Sequence, residues 1–170
     1  YKPLSLMAHI GDGHPWNYYG RSKSIKILPP RTGQNRSDWY RGTADAVRQN
    51  LDFIEAFDYC DVVLILSGDH IYQMDYARLV EFHRKREADV TVATMRVPFD
   101  DAHRFGIAET DDERRIVGWE EKPDQPRGNL ASMGVYAFSA AYLKEILNQA
   151  DDLDFGKDIV PKACTSARTF

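Results

Sequence analysis

Hydrophobic positions change their period several times along the chain, and each change marks an element. Over residues 43–57, "TADAVRQNLDFIEAF", Val47, Leu51, Ile54 and Phe57 recur at helical spacing, with Thr43 placed to cap the helix. Val62 to Leu66 is apolar throughout and β-branched at its start, which predicts a strand buried on both faces. Tyr72, Tyr76, Leu79, Val80 and His83 then share one face of an amphipathic helix. "DVTVATMRV" alternates at period two, so residues 62–97 read as a βαβ unit with parallel strands. "FGIAET", the polar turn "DDER" and "RIVGWEEKP" predict a hairpin. "ASMGVYAF" is a further strand, and Ser139 can cap a helix carrying Tyr142, Leu143, Ile146 and Leu147. Residues 11–38 are rich in Gly, Pro, Asn, Ser and Arg, with "SIKIL" as the only strand candidate; they read as a long surface segment. Strands alternating with helices predict a layered α/β domain with a mostly parallel, mixed sheet.

Composition narrows this picture. At 170 residues, 43% apolar and 28% charged, the chain is the size of one domain and reads as globular. A net charge of -4 argues against nucleic acid or an anionic membrane as partner. No apolar run approaches the ~20 residues that span a bilayer, and no charged-then-apolar leader is visible. Two distant cysteines, Cys60 and Cys164, make no disulfide framework, so a reducing, cytoplasmic location is expected. The first residue is Tyr1, not methionine, which suggests a chain cut from something longer.

Chemistry first surfaces at "VVLILSGDHIYQMDY", where an apolar strand runs through Ser67-Gly68 into Asp69. Ligands of open α/β sheets bind beyond the carboxyl ends of parallel strands, and Asp69 stands at such an end. The plainer alternative is that Asp69 caps a helix starting near Ile71. His70 beside it reads first as a hydrogen-bonded structural residue. Dinucleotide-binding glycines, a Walker lysine loop and a nucleophile elbow are all missing, and the five histidines lack zinc-ligand spacing.

Seven short words, "YKPLSLMAHI", "WYRGTADAV", "GDHIYQMDY", "FGIAE", "EEKP", "ASMGVYAF" and "DFGKDIVPK", occur in the order seen in one family. Together they resemble the catalytic domain of the bacterial glucose-1-phosphate adenylyltransferases, within the sugar-nucleotide nucleotidyltransferases. The resemblance implies a Rossmann-like domain of the nucleotide-diphospho-sugar transferase type, over residues 1–170. It implies transfer of an adenylyl group from ATP to glucose 1-phosphate, giving ADP-glucose and pyrophosphate, with Mg²⁺ as cofactor. Asp69 and Asp154 would be the metal carboxylates, with Asp158 one helical turn away as an alternative to Asp154. Lys122 would meet the sugar phosphate, and Glu121 the glucose hydroxyls. Gly106 and Ser132 match glucosyl contacts, while Tyr40, Gly42 and Thr43 match the nucleotide side. Met133, Tyr136 and Phe138 read as core.

The family's glycine-rich "GGxGTRL" loop and its C-terminal β-helix have no counterpart in these residues, so the chain is expected to be a part with little or no turnover alone. The full-length protein is expected to be a homotetramer. Two other readings remain: a non-catalytic regulatory or sugar-nucleotide-binding subunit of the same fold, and a related uridylyl- or thymidylyltransferase.

Overall fold

The structure, a computed structural model, describes residues 4–18, 24–30, 39–56, 59–149 and 152–170. Two compact units are present, Tyr1–Trp39 and Tyr40–Phe170. The first holds helix α1 (Leu4–Ile10) and a 3₁₀ turn at His14–Trp16, entered through Gly13 at φ 82°. "SIKIL" forms no strand there; residues 24–30 have no ladder partner among the described residues.

In the second unit, the helix predicted from Thr43 onward is two short helices, α2 (Thr43–Arg48) and α3 (Leu51–Glu55). The break at Gln49-Asn50 is held by side chains: Asn50 Nδ2 donates to the Ala46 carbonyl and to the Tyr40 hydroxyl, each at 2.8 Å. Phe57 lies outside the described residues. Asp45 on α2 is buried, and burial works to raise its pKa. The Arg41 backbone N–H, the Arg41 guanidinium and the Gln49 amide outweigh that and hold its carboxyl below the usual range.

Five strands make one sheet: β1 (Val62–Leu66), β2 (Val90–Arg96), β3 (Gly106–Thr110), β4 (Ile116–Glu121) and β5 (Leu130–Ser139). The expectation of a mostly parallel sheet is corrected here. Every ladder between named strands is antiparallel, and the parallel pairing among the described residues is an isolated bridge between Val90 and Thr169. The βαβ inference was right about direction and wrong about neighbours. Strands β1 and β2 both run opposite to β5, which lies between them and takes the hydrogen bonds of each. Among the described residues β1 pairs with β5, and it is half-buried rather than covered on both faces. The β3–β4 hairpin forms as its alternation predicts.

Helix α4 (Tyr76–Lys85) links β1 to β2, and it begins later than its apolar face suggests. Tyr72 lies in the preceding loop, because Asp75 is the cap and accepts the Ala77 N–H at 3.0 Å. Helix α5 (Ala140–Gln149) follows β5, with the Ser139 hydroxyl accepting the Tyr142 N–H at 3.3 Å. A π-helical turn at Phe155–Ile159 runs into α6 (Val160–Ser166). Phe138, Tyr136 and Phe155 pack ring on ring at 5.6–6.3 Å, inside a core that includes Leu143, Leu147, Ile159 and Val160. Among the described residues no helix is long and apolar enough to cross a membrane.

One core residue carries a pH dependence. His83 on α4 is 2% exposed; its Nδ1 shares a hydrogen bond with Thr91 Oγ1 at 2.8 Å, while Nε2 is buried without a partner among the described residues. Burial lowers its pKa, Asp89 and Asp61 pull the other way, and Arg84 adds to the lowering. The unfolded chain takes up this proton near pH ~6.5 and the folded chain resists it, so stability falls as pH drops from there toward the folded pKa. The urea midpoint is expected to be lower at pH ~5.5 than at pH ~7.5. His83→Gln should flatten that part of the pH profile, and an unchanged slope in the variant would refute the assignment.

Candidate active site

Strand β5 carries a bulge where the site forms. Val92 pairs with Tyr136 and Thr94 with Ser132, so β5 advances four residues while β2 advances two. Gly134, inside the bulge, has φ 65°, and a Cβ there would stand 3.0 Å from Ser67 Cβ. The bulged backbone meets the end of β1, where the Ser67 N–H donates to the Gly134 carbonyl at 2.9 Å. Asp69 follows in the loop. Its carboxyl Oδ1 accepts the Ser67 hydroxyl at 2.5 Å, and Oδ2 has no hydrogen-bond partner among the described residues. The Ser67 hydroxyl, Asp69's own backbone and the neighbouring His70, with a small contribution from Lys122, hold its pKa below the usual carboxylate range. Since Asp75 caps α4, the capping alternative for Asp69 falls away.

The β3–β4 hairpin supplies the opposite wall. Gly106 pairs with Glu121 across the ladder. A Cβ at Gly106 would strike the Trp119 ring and lie 2.7 Å from Glu121 Oε2, and one at Gly156 would lie 2.9 Å from the same oxygen. The two glycines therefore leave a slot for the Glu121 carboxylate. Burial raises its pKa first, Lys122 opposes, Asp154 raises it further, and the Trp119 side chain lowers it. Glu120 turns away, as strand alternation requires, and pairs with Arg127 at 3.3 Å. Lys122 leaves the strand at φ 46°, a left-handed conformation, with its N–H donated to the Phe105 carbonyl at 3.1 Å. Among the described residues its ammonium makes no ion pair.

Asp154 is both a cap and a wall. Its Oδ1 accepts the Gly156 and Lys157 N–H groups at 2.9 and 3.0 Å, starting the π-helical turn, and Oδ2 accepts the Thr43 hydroxyl at 3.0 Å. Thr43 thus joins α2 to Asp154 rather than capping α2, where Gly42 stands without a side-chain bond. Asp158 accepts the Leu153 and Asp154 N–H groups through one oxygen, both at 3.0 Å; these bonds dominate in lowering its pKa against its slight burial.

These walls enclose a cavity of about 640 Å³, lined by Asp69, Lys122, Glu121, Gly106, Ser132, Thr43 and Asp154 among others. Asp158 does not line it, nor do Tyr40 and Gly42. Gly42 is extended at φ 177° and is needed where it packs against the Leu153 carbonyl, too close for a Cβ. Ser132 is buried, and its hydroxyl accepts the Gly134 N–H at 3.2 Å. Sequence reasoning passed over Arg104, Ser67 and Phe155, and placed Tyr136 only in the core; all four line the cavity. The signals were adjacency: Arg104 directly precedes the "FGIAE" word and Ser67 stands two residues before Asp69.

The donor set suits a hard, oxygen-loving cation. Asp69 offers an open oxygen, and Asp154 Oδ2 keeps one lone pair beside its bond to Thr43. No three His, Cys, Asp or Glu side chains among the described residues form a metal cage. Hard divalent cations such as Mg²⁺ are commonly held by one or two carboxylates, with substrate phosphates and waters completing the shell.

Comparison with known proteins agrees in direction. A glucose-1-phosphate adenylyltransferase of Thermotoga neapolitana is 50% identical over 167 residues, which is 95% of this chain and 39% of that protein. One from Clostridium acetobutylicum is 46% identical over 173 residues, covering 99% of this chain and 45% of that protein. One from Clostridium botulinum is 47% identical over 166 residues, or 95% and 43%. The chain spans less than half the length of these curated relatives. Residues 1–169 match the family described as nucleotidyl transferase, and on that match the chain belongs to the nucleotidyl transferase family.

Proposed function

We propose that this chain forms the metal and sugar-phosphate side of an enzyme that transfers an adenylyl group from ATP to α-D-glucose 1-phosphate, giving ADP-glucose and pyrophosphate. The observation that carries this reading is the convergence of Asp69, Glu121, Lys122, Ser132 and Asp154 on one cavity. The relatives' shared name supports the choice of substrates. In such a reaction an oxygen of the sugar phosphate attacks the α-phosphorus in line, and the bond to pyrophosphate breaks. Positioning and charge neutralisation then dominate over covalent work by the protein. Lys122 meets the sugar phosphate, Glu121 accepts glucose hydroxyls from within its glycine slot, and Ser132 borders the sugar. Asp69 and Asp154 would hold Mg²⁺, Asp69 with an oxygen free of hydrogen bonds among the described residues and Asp154 with at most one lone pair to offer. When bound, Mg²⁺ neutralises charge on the phosphate oxygens.

Thermal unfolding with sugar nucleotides tests the assignment. ADP-glucose with Mg²⁺ is expected to raise the unfolding midpoint more than UDP-glucose does; at a hundred times Kd the stabilisation is about 2.7 kcal/mol. Asp69→Asn should abolish the Mg²⁺ dependence, and Asp154→Asn should weaken it less. A larger response to UDP-glucose would move the assignment to a uridylyltransferase, and no response to either would sink it.

Lys122 gives an independent check, because its left-handed backbone is an unfavourable setting for a non-glycine residue. The strain is roughly 1–2 kcal/mol. Lys122→Gly is expected to be more stable to urea than Lys122→Ala by about 1 kcal/mol, while both lose ADP-glucose affinity. Equal stability of the two variants would mean the strain is not there.

A further inference from the structure

We propose that His70 is a positioning residue whose ring ties the Asp69 loop to the β5 bulge and so fixes the carboxylate that receives the divalent cation; this rests on the metal role of Asp69 proposed above. The His70 Nδ1 lies 3.3 Å from the Met133 carbonyl and 3.2 Å from the Tyr72 hydroxyl. A carbonyl oxygen only accepts, so the tether to Met133 takes the tautomer with a proton on Nδ1, whereas an Nδ1 without one would accept from the Tyr72 hydroxyl. Tyr72 braces the ring a second time, edge to face at 5.6 Å. On its other side, Nε2 is 3.6 Å from Asp69 Oδ1, too far for a hydrogen bond but close enough to limit where the carboxylate can swing.

The tether has a counterpart one residue later in the bulge. Met133 offers its carbonyl to His70, and Gly134 offers its own to the Ser67 N–H at 2.9 Å. Ser67 in turn donates its hydroxyl to Asp69 Oδ1. Asp69 is thus bracketed: Ser67 before it and His70 after it are both pinned to consecutive carbonyls of β5. Without such pins a carboxylate this exposed would sample many rotamers, and ordering it would count against cation binding. The bracket engages Oδ1 and leaves Oδ2 open toward a cation. Gly134 is what makes the approach work, since a side chain there would press on Ser67 at 3.0 Å and sit 3.6 Å from His70 Nδ1.

Mn²⁺ binding, followed by loss of the free-ion electron paramagnetic resonance signal, tests this without relying on turnover. Each variant's metal-free unfolding midpoint is measured alongside. His70→Ala is expected to weaken Mn²⁺ affinity about 10–100-fold, the usual effect of losing a group that orients a ligand, with little change in the midpoint. His70→Asn should recover most of the affinity, because its amide nitrogen lands where Nδ1 stands. His70→Gln, which places its amide near Nε2, should not. Wild-type affinity in His70→Ala would overturn the proposal. So would recovery by Gln instead of Asn, which would make Nε2 a ligand in its own right, or a midpoint that falls in step with affinity and is not rescued by Asn. If wild type binds no Mn²⁺, or Asp69→Asn binds it as tightly as wild type, the metal role of Asp69 fails and this inference falls with it.

Discussion

Strand β5 has only two edges, yet it pairs with β1, β2 and β3. Strand β2 takes one edge along most of its length, so β1 and β3 must share the other, β1 opposite Val135–Ser139 and β3 at Ala131. Between those two contacts lie Ser132–Gly134, part of the bulged stretch, and Ser132 and Gly134 line the cavity. The bulge also frees two carbonyls, those of Met133 and Gly134, which the site then uses. Sheet connectivity and site geometry are in this sense one feature.

A second junction shows structure and chemistry drawing on the same atoms. Asp154 has about four lone-pair positions, and three are committed to Gly156, Lys157 and the Thr43 hydroxyl. Those bonds join α2 to the π-helical turn, and the Phe155 N–H donated to Thr43 Oγ1 at 3.1 Å closes the knot. What remains for a ligand is one position on Oδ2. Asp69 differs in kind: it caps nothing and sits mostly in solvent. Of the two carboxylates, Asp69 therefore has the greater freedom to bind a cation, and Asp154 the greater part in holding the wall upright.

Much of this could be read from the residues alone. The strand from Val62 to Leu66, the 106–121 hairpin, the Ser139 cap and the opposed faces of Glu120 and Glu121 followed from period and turn chemistry. The antiparallel sheet did not, because alternation fixes a strand's existence and direction of burial but says nothing about which strand lies beside it. The break between α2 and α3 was hidden because its cause is a set of asparagine bonds to Ala46 and Tyr40, not a helix-breaking residue. For the site, motif order found Asp69, Glu121, Lys122, Ser132, Gly106, Thr43 and Asp154, which all reach the cavity. Asp158 could be separated from Asp154 only by seeing which backbone groups each carboxylate accepts. Gly42, expected on the nucleotide side, stands against the Leu153 carbonyl and outside the cavity lining.

The charges lining the cavity constrain how it can work. Three carboxyl side chains, Asp69, Glu121 and Asp154, line the cavity with two basic ones, Arg104 and Lys122, and Arg104 also lies 3.7 Å from Asp101. Glu121 is pushed toward its neutral form by burial and by Asp154, which is the response expected when like charges are drawn into one space. A ligand bearing two or more phosphate groups would add negative charge beside these carboxyls, with Lys122 and the exposed Arg104 to offset it. On the metal role proposed for Asp69, a divalent cation there would tip that balance. The acidic wall would then serve as an anchor, and Lys122, which makes no ion pair among the described residues, would meet the sugar phosphate of the proposed reaction. On that reading phosphate binding depends on the cation, and the bracketing of Asp69 by Ser67 and His70 would be how the fold prepares for it.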